Sequence, residues 1–142
     1  MPGGAALVSA KGGARFPDEA NDRSLVMKLT FGRRSFLLPG DISKTAELRI
    51  VESTDGLDSD VLFVPHHGGF RSTTVPFLEK VRPQVAVVSC GTDNVFLVPH
   101  PDVLRRLGQF QSRIYRTDRD GAVTIETDGN ELSIRTFRQG NP

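Results

Sequence analysis

Asp60-Val61-Leu62-Phe63-Val64-Pro65-His66-His67-Gly68 is the stretch on which the fold turns. Its apolar core, Val61–Val64, is continuous rather than alternating, as in a strand covered on both faces. Pro65 ends it, because proline has no N–H to offer a ladder. Downstream, Gln84 to Cys90 reads as the next buried strand, and Pro76 suits the first turn of a helix carrying Phe77, Leu78 and Val81 between the two. Pro101 opens another helix, with Val103, Leu104, Leu107 and Phe110 at i, i+1, i+4 and i+7, and Arg113 to Arg116 is a short strand. Strands alternating with helices predict a mixed α/β protein, a sheet with helices packed on it.

Upstream the period changes. Leu25, Met27 and Leu29 alternate with Val26, Lys28 and Thr30, which predicts a strand. Phe31-Gly32-Arg33-Arg34 turns it back into Ser35–Leu38, stopped by Pro39-Gly40-Asp41. Ser43 to about Glu52, with Ala46, Leu48, Ile50 and Val51, predicts a short helix with Ser43 as N-cap. At the far end, Asp120-Gly121 and Asp128-Gly129-Asn130 are hairpin-type turns, with Ala122–Thr127 and Glu131–Phe137 as closing antiparallel strands. Residues 1–20 carry only the short apolar patch Ala5–Val8 between glycines and read as a flexible lead, too short and glycine-rich for a secretory signal. Residues 21–142 form the domain.

Composition narrows the function classes. The 142 residues are 37% hydrophobic and 25% charged, which excludes a disordered tail, a collagen-like chain and a disulfide scaffold. Eighteen Lys and Arg against 17 Asp and Glu leave a formal charge of +1, so no strong field draws the chain to nucleic acid or a membrane. Apolar runs reach four residues, against the about 20 of a membrane helix. The single cysteine, Cys90, has no internal disulfide partner and reads as a small buried side chain. Arg105, Arg106, Arg113, Arg116 and Arg119 are interleaved with Asp102, Asp118 and Asp120, a solvated charged face rather than a nucleic-acid groove.

The chemistry-bearing residues follow apolar runs. Asp41 comes after Leu37-Leu38-Pro39-Gly40, His66 and His67 after the central strand, and His100 ten residues after Cys90. The carboxyl ends of strands are where open α/β sheets collect ligands. Carboxylate oxygen and neutral imidazole are both ligands for divalent ions, and Gly40, Gly68 and Gly69 let the backbone turn so that such side chains converge. Each residue also has a plainer reading: Asp41 as a cap or turn residue, the His-His pair as an exposed loop, His100 as the cap of its helix.

Five blocks occur in one order: Asn21–Val26, Phe36–Asp41, Asp60–Gly68, Pro99-His100-Pro101 and Tyr115–Val123. In them the chain resembles the carboxyl-terminal half of the metallo-β-lactamase-fold domain of ComEC-type DNA-internalisation competence proteins, over residues 21 to about 127. The resemblance implies an αββα sandwich of which this chain holds the second half. It implies that Asp41 is the aspartate bridging two metal ions, that His67, with His66 as neighbour or substitute, binds the second metal, and that His100 lines the active site near the substrate phosphate. It implies a divalent metal, zinc or manganese, in the complete domain, and hydrolysis of phosphodiesters by metal-bound hydroxide. DNA is then the substrate of the full-length protein. The partners are the rest of the domain and a bacterial inner-membrane channel, with the domain on the extracytoplasmic side.

Departures from the pattern set further expectations. The superfamily's His-x-His-x-Asp-His motif is absent, since His66, His67 and His100 are the only histidines. Val98 stands where the family carries a histidine, and Gly69 where a serine commonly follows His-His-Gly. The resemblance thus implies a metal-dependent hydrolase lacking half of its site, silent as an isolated chain because it cannot hold a dinuclear metal centre. The alternative is a degenerate, non-catalytic module that holds DNA or a protein partner. Half a sandwich also leaves apolar sheet uncovered, which predicts a homodimer through the exposed sheet.

Overall fold

The computed structural model describes residues 4–8 and 20–138; at 4–8 the backbone alone is described. Residues 1–3 and 9–19 of the lead lie outside the described residues. Gly4–Val8 departs from the expected lead: it is a strand, β1, antiparallel to β2 (Val26–Phe31) with Ala6 opposite Lys28. Its own pattern is too short to announce a strand; the open edge of β2 supplies the partner. β2 pairs antiparallel with β3 (Arg34–Leu38), and from there the sheet is parallel through β4 (Val61–Phe63), β5 (Val85–Val88) and β6 (Arg113–Arg116), six strands in sequence order.

Three helices make the crossovers: α1 (Lys44–Ser53), α2 (Val75–Val81) and α3 (Pro101–Gln109). Strands laid down in one direction by right-handed crossovers put every helix on the same face. The core shows this, with Leu37, Leu62, Ala86 and Val88 of the strands packed against Ile50, Phe77, Val103 and Leu107 of the helices. Alternate strand residues point the other way, so Val61, Val85, Val87 and Tyr115 form a second core under a hairpin of β7 (Val123–Thr127) and β8 (Leu132–Thr136). The fold is therefore mixed α/β, a mixed sheet between a helical layer and a two-stranded one. The hairpin tip docks on the β2–β3 turn, where Gly32 (φ +59) and Gly129 (φ +94) approach so closely that a Cβ on Gly32 would lie 2.5 Å from the Gly129 carbonyl oxygen. Glycine at both turns is a packing requirement.

The hairpin leaves part of that face bare. Leu29, Phe31, Phe36, Leu38, Phe63 and Ile125 line an apolar cavity of about 770 Å³. Two local expectations are corrected. Asp120-Gly121 is not a hairpin: Thr117–Asp120 is a single helical turn, α4, with Gly121 after it at φ +73, and it carries the chain from one sheet to the other. Ser43 stands at the N-cap of α1 but its side chain makes no capping bond; its backbone N–H donates to Asp22 Oδ1 at 2.9 Å. No helix among the described residues is long and apolar enough to cross a membrane.

Candidate functional site

Because β3 to β6 are parallel, their carboxyl ends share one edge of the sheet, and the loops leaving them carry the polar residues singled out above. Gly40 leaves β3 at φ +64, with Ser24 so near that a Cβ would meet the serine Cβ at 2.9 Å. Ser24 Oγ then accepts the Asp41 N–H at 3.1 Å, which fixes the direction in which Asp41 leaves the strand. After β4, Pro65–Gly68 forms a short 3-10 turn in which His66 (φ +51) and His67 (φ +54) are left-handed, followed by Gly68 at φ +78. Non-glycine residues in that region cost about 1–3 kcal/mol each and persist only where the surroundings hold them. Here the surroundings are explicit: His66 N–H donates to the Gly40 carbonyl at 3.2 Å, Gly69 N–H to the His66 carbonyl at 2.8 Å, and His100 N–H to the Gly68 carbonyl at 2.9 Å. Gly69, at φ −61, is not a sharp turn, and the His66 ring lies over it.

The loop brings two of the candidate residues together. His67 Nε2 lies 3.7 Å from Asp41 Oδ1, both side chains about half exposed. His67 Nδ1 lies 2.7 Å from the Ser89 carbonyl at the end of β5. A carbonyl only accepts, so Nδ1 carries a proton, and in the neutral imidazole Nε2, on the side of the carboxylate, is then the lone-pair nitrogen. A backbone carbonyl on one imidazole nitrogen is the usual way of orienting the other as a metal ligand. His66 and His100 do not join them: among the described residues no group of three or more His, Cys, Asp or Glu is placed to hold a metal ion. His100 takes its plainer reading, Nδ1 accepting the Asp102 N–H at 3.2 Å to cap α3. That bond leaves the Nε2–H of neutral His100 as a donor.

One group escaped the sequence reading, and the Arg116–Asp118 pair, read there as part of a solvated face, is largely covered. Glu47 is fully buried in α1, where it accepts from the Thr73 and Thr74 N–H groups, the latter at 2.8 Å. Burial pushes its carboxyl up from the ordinary value, against the pull of those hydrogen bonds and of Arg106. Ser72, in the same loop, donates from Oγ to the Pro65 carbonyl at 3.0 Å, so Glu47 holds the segment that closes the histidine turn. Its signal was present: Ser43, Ala46, Glu47 and Ile50 fall at i, i+3, i+4 and i+7, a buried stripe with a charge on it. Asp118, past β6, takes Arg116 in a fork, Nε to Oδ1 at 3.0 Å and Nη2 to Oδ2 at 2.6 Å, and the guanidinium holds its carboxyl below the usual range. Cys90 Sγ donates to Asp118 Oδ1 at 3.2 Å; burial and that bond push the thiol up, away from a reactive thiolate.

Half-exposed carboxylate and backbone-anchored imidazole thus face one another at the carboxyl rim of the parallel strands of an α/β protein. Comparison with known proteins gives the family. The chain is 35% identical over 107 residues (75% of its length) to ComE operon protein 3 of Bacillus subtilis, and 36% identical over 118 residues (83%) to Recombination protein 2 of Haemophilus influenzae. It is 34% identical over 104 residues (72%) to competence protein ComA of Neisseria gonorrhoeae. Over this segment the chain belongs to the ComEC-type competence proteins, and it spans only 14–15% of these relatives' length. No protein-family profile matches it.

Proposed function

We propose that this chain carries the Asp41–His67 half of a divalent-metal hydrolase site, in a metallo-β-lactamase-type domain of a DNA-uptake protein. The observation that carries the reading is the His67 imidazole, oriented by the Ser89 carbonyl with its free nitrogen 3.7 Å from Asp41. Two donors each about 2.1 Å from one tetrahedral ion are about 3.4 Å apart, so the pair fits a shared zinc or manganese with little movement. A catalytic zinc takes three protein ligands, and the described residues supply two. Bound metal would supply a water of lowered pKa. What this chain contributes is placement: strained turn residues held by three backbone hydrogen bonds, and the His100 Nε2–H as a donor for a substrate oxygen.

The bare apolar face supports the same reading. It is where the second sheet of an αββα sandwich would pack, and His-x-His-x-Asp-His on such a sheet would complete the metal shell. In the family that polypeptide adjoins a membrane channel, with the domain outside the cytoplasm and DNA as substrate. By itself this chain is then inert toward phosphodiesters.

Calorimetric titration with Mn²⁺ and Zn²⁺ tests this. The expected result is one weakly held ion, lost in Asp41→Asn and in His67→Gln, with no hydrolysis of bis(p-nitrophenyl) phosphate. Binding that survives both substitutions would remove the site, and two tightly held ions would show that it is complete. A second reading, a non-catalytic module, is favoured by the pair's lack of a third donor among the described residues. Supplying a His-x-His-x-Asp-His segment in trans separates the two: restored hydrolysis supports the half-site, and none supports the module.

A further inference from the structure

Just past the histidine turn in sequence, at Phe70 and Arg71, cationic and aromatic side chains share a cavity. Lys44 in the first turn of α1, Arg71 after the turn and Arg106 in the last turn of α3 line about 590 Å³ together with Phe70, Leu48 and Thr74. No carboxylate lines it. Glu47 lies in the same helix as Lys44, but it is fully buried and turned toward the Thr73 and Thr74 amides. Arg106, read from the sequence as part of a solvated charged face, is instead half-buried and fixed in place by Nε donating to the Thr73 carbonyl at 2.8 Å and Nη2 to the Ser72 carbonyl at 3.0 Å, which uses two of the five donors of its fork. Lys44 is exposed.

Phe70 joins this cavity to the Asp41–His67 rim. The residue is 63% exposed, and its ring meets the His100 ring edge-on with 4.8 Å between centroids. His100 in turn is bound through its N–H to Gly68, next to His67. An aromatic ring steadied by an imidazole, with one face open and cations beside it, is the pairing that proteins use for unstacked bases and their phosphates. A duplex keeps its base faces stacked and offers such a ring nothing.

We propose that Phe70, Lys44 and Arg106 form a track for single-stranded nucleic acid leading to the Asp41–His67 rim, with a base on Phe70 and flanking phosphates in the cationic cavity. The track deepens the functional reading above, which names the site it leads to, but it holds a strand without metal. The test is fluorescence anisotropy of the 142-residue chain in EDTA, with a labelled oligothymidylate of about a dozen nucleotides, within the usual site sizes. A duplex of equal length and an oligouridylate run in parallel.

The single strands bind in preference to the duplex, and DNA and RNA bind alike because nothing in the track reads the 2′-hydroxyl. Phe70→Ala weakens binding about tenfold. Lys44→Gln weakens it about fivefold at 0.1 M salt and lowers the log–log salt slope by about 0.7. Both side chains are exposed, so both variants fold, which circular dichroism checks. Arg135→Gln on β8 leaves affinity unchanged. Duplex preference, loss of neither contact's contribution, or equal loss in Arg135→Gln overturns the track. Asp41→Asn separates the two proposals: with strand binding intact and metal binding gone both stand, whereas metal binding that survives it sinks the metal site alone.

Discussion

At the residue scale, two kinds of unusual residue serve one loop. His66 and His67 sit in left-handed backbone, and Glu47 is a fully buried carboxylate. Glu47→Gln replaces one acceptor oxygen with an NH₂ that faces a backbone N–H, and is expected to lower the unfolding free energy by about 1–3 kcal/mol in urea titration. The pH dependence has a definite sign. The folded carboxyl is raised above its ordinary 4.5, so the folded state binds more protons than the unfolded one just above that pH. Glu47's contribution is then fully present below 4.5 and falls as pH rises through the folded value. The stability gap between the native chain and Glu47→Gln is expected to be widest at and below pH 4.5 and to narrow as pH rises above it. A gap that widened with pH would mean that the hydrogen bonds from Thr73 and Thr74 outweigh burial.

At the scale of elements, neighbouring apolar stretches play opposite parts. β4 sits between two parallel partners, and its Leu62 has no exposed surface. Leu62→Ala is expected to cost about 2–5 kcal/mol in denaturant unfolding, because it opens a cavity in the helical core. The loop after β5 carries Val95-Phe96-Leu97, each more than 80% exposed. Its neck is closed by Asn94, whose Nδ2 donates to the Gly91 and Val98 carbonyls and whose Oδ1 accepts the Val98 N–H. Replacing the three tip residues with Ser-Gly-Ser is expected to leave stability within about 0.5 kcal/mol, since nothing packs on them. The same unfolding experiment reads both, and equal losses would mean that the tip folds back on the core.

At the scale of the whole molecule, one face of the sheet is half dressed. Phe31 and Phe63 are 42% and 37% exposed, in a face whose remainder is packed under β7 and β8. Contiguous apolar surface of this kind is rare on monomers. The 142-residue chain is expected to self-associate through it, as a dimer by size-exclusion chromatography with light scattering. Phe63→Glu shifts the species to monomer without loss of helical signal. A monomer at all concentrations would mean that the hairpin shields the face sufficiently.

Much of this was legible along the chain. The continuous apolar runs, proline stops and helix-period stripes placed β4, β5, α2 and α3, because each depends on neighbours within a few residues. Asp41 and His67 were legible as strand-end residues, and Asp128-Gly129-Asn130 as a hairpin turn. Other features needed distant partners. β1 exists because β2 has a free edge, and α4 replaces a hairpin because β6 and β7 belong to different sheets. Asp22 receives the Ser43 N–H and Ser24 the Asp41 N–H, so a block some 20 residues upstream aims the carboxylate. His67 rather than His66 faces Asp41 because the Ser89 carbonyl, 22 residues further on, claims its other nitrogen. Local pattern determined the central strands and the crossover helices and which residues stand at their ends. The hydrogen bonds between separate strand ends, visible only once the sheet is assembled, decided which of those residues meet.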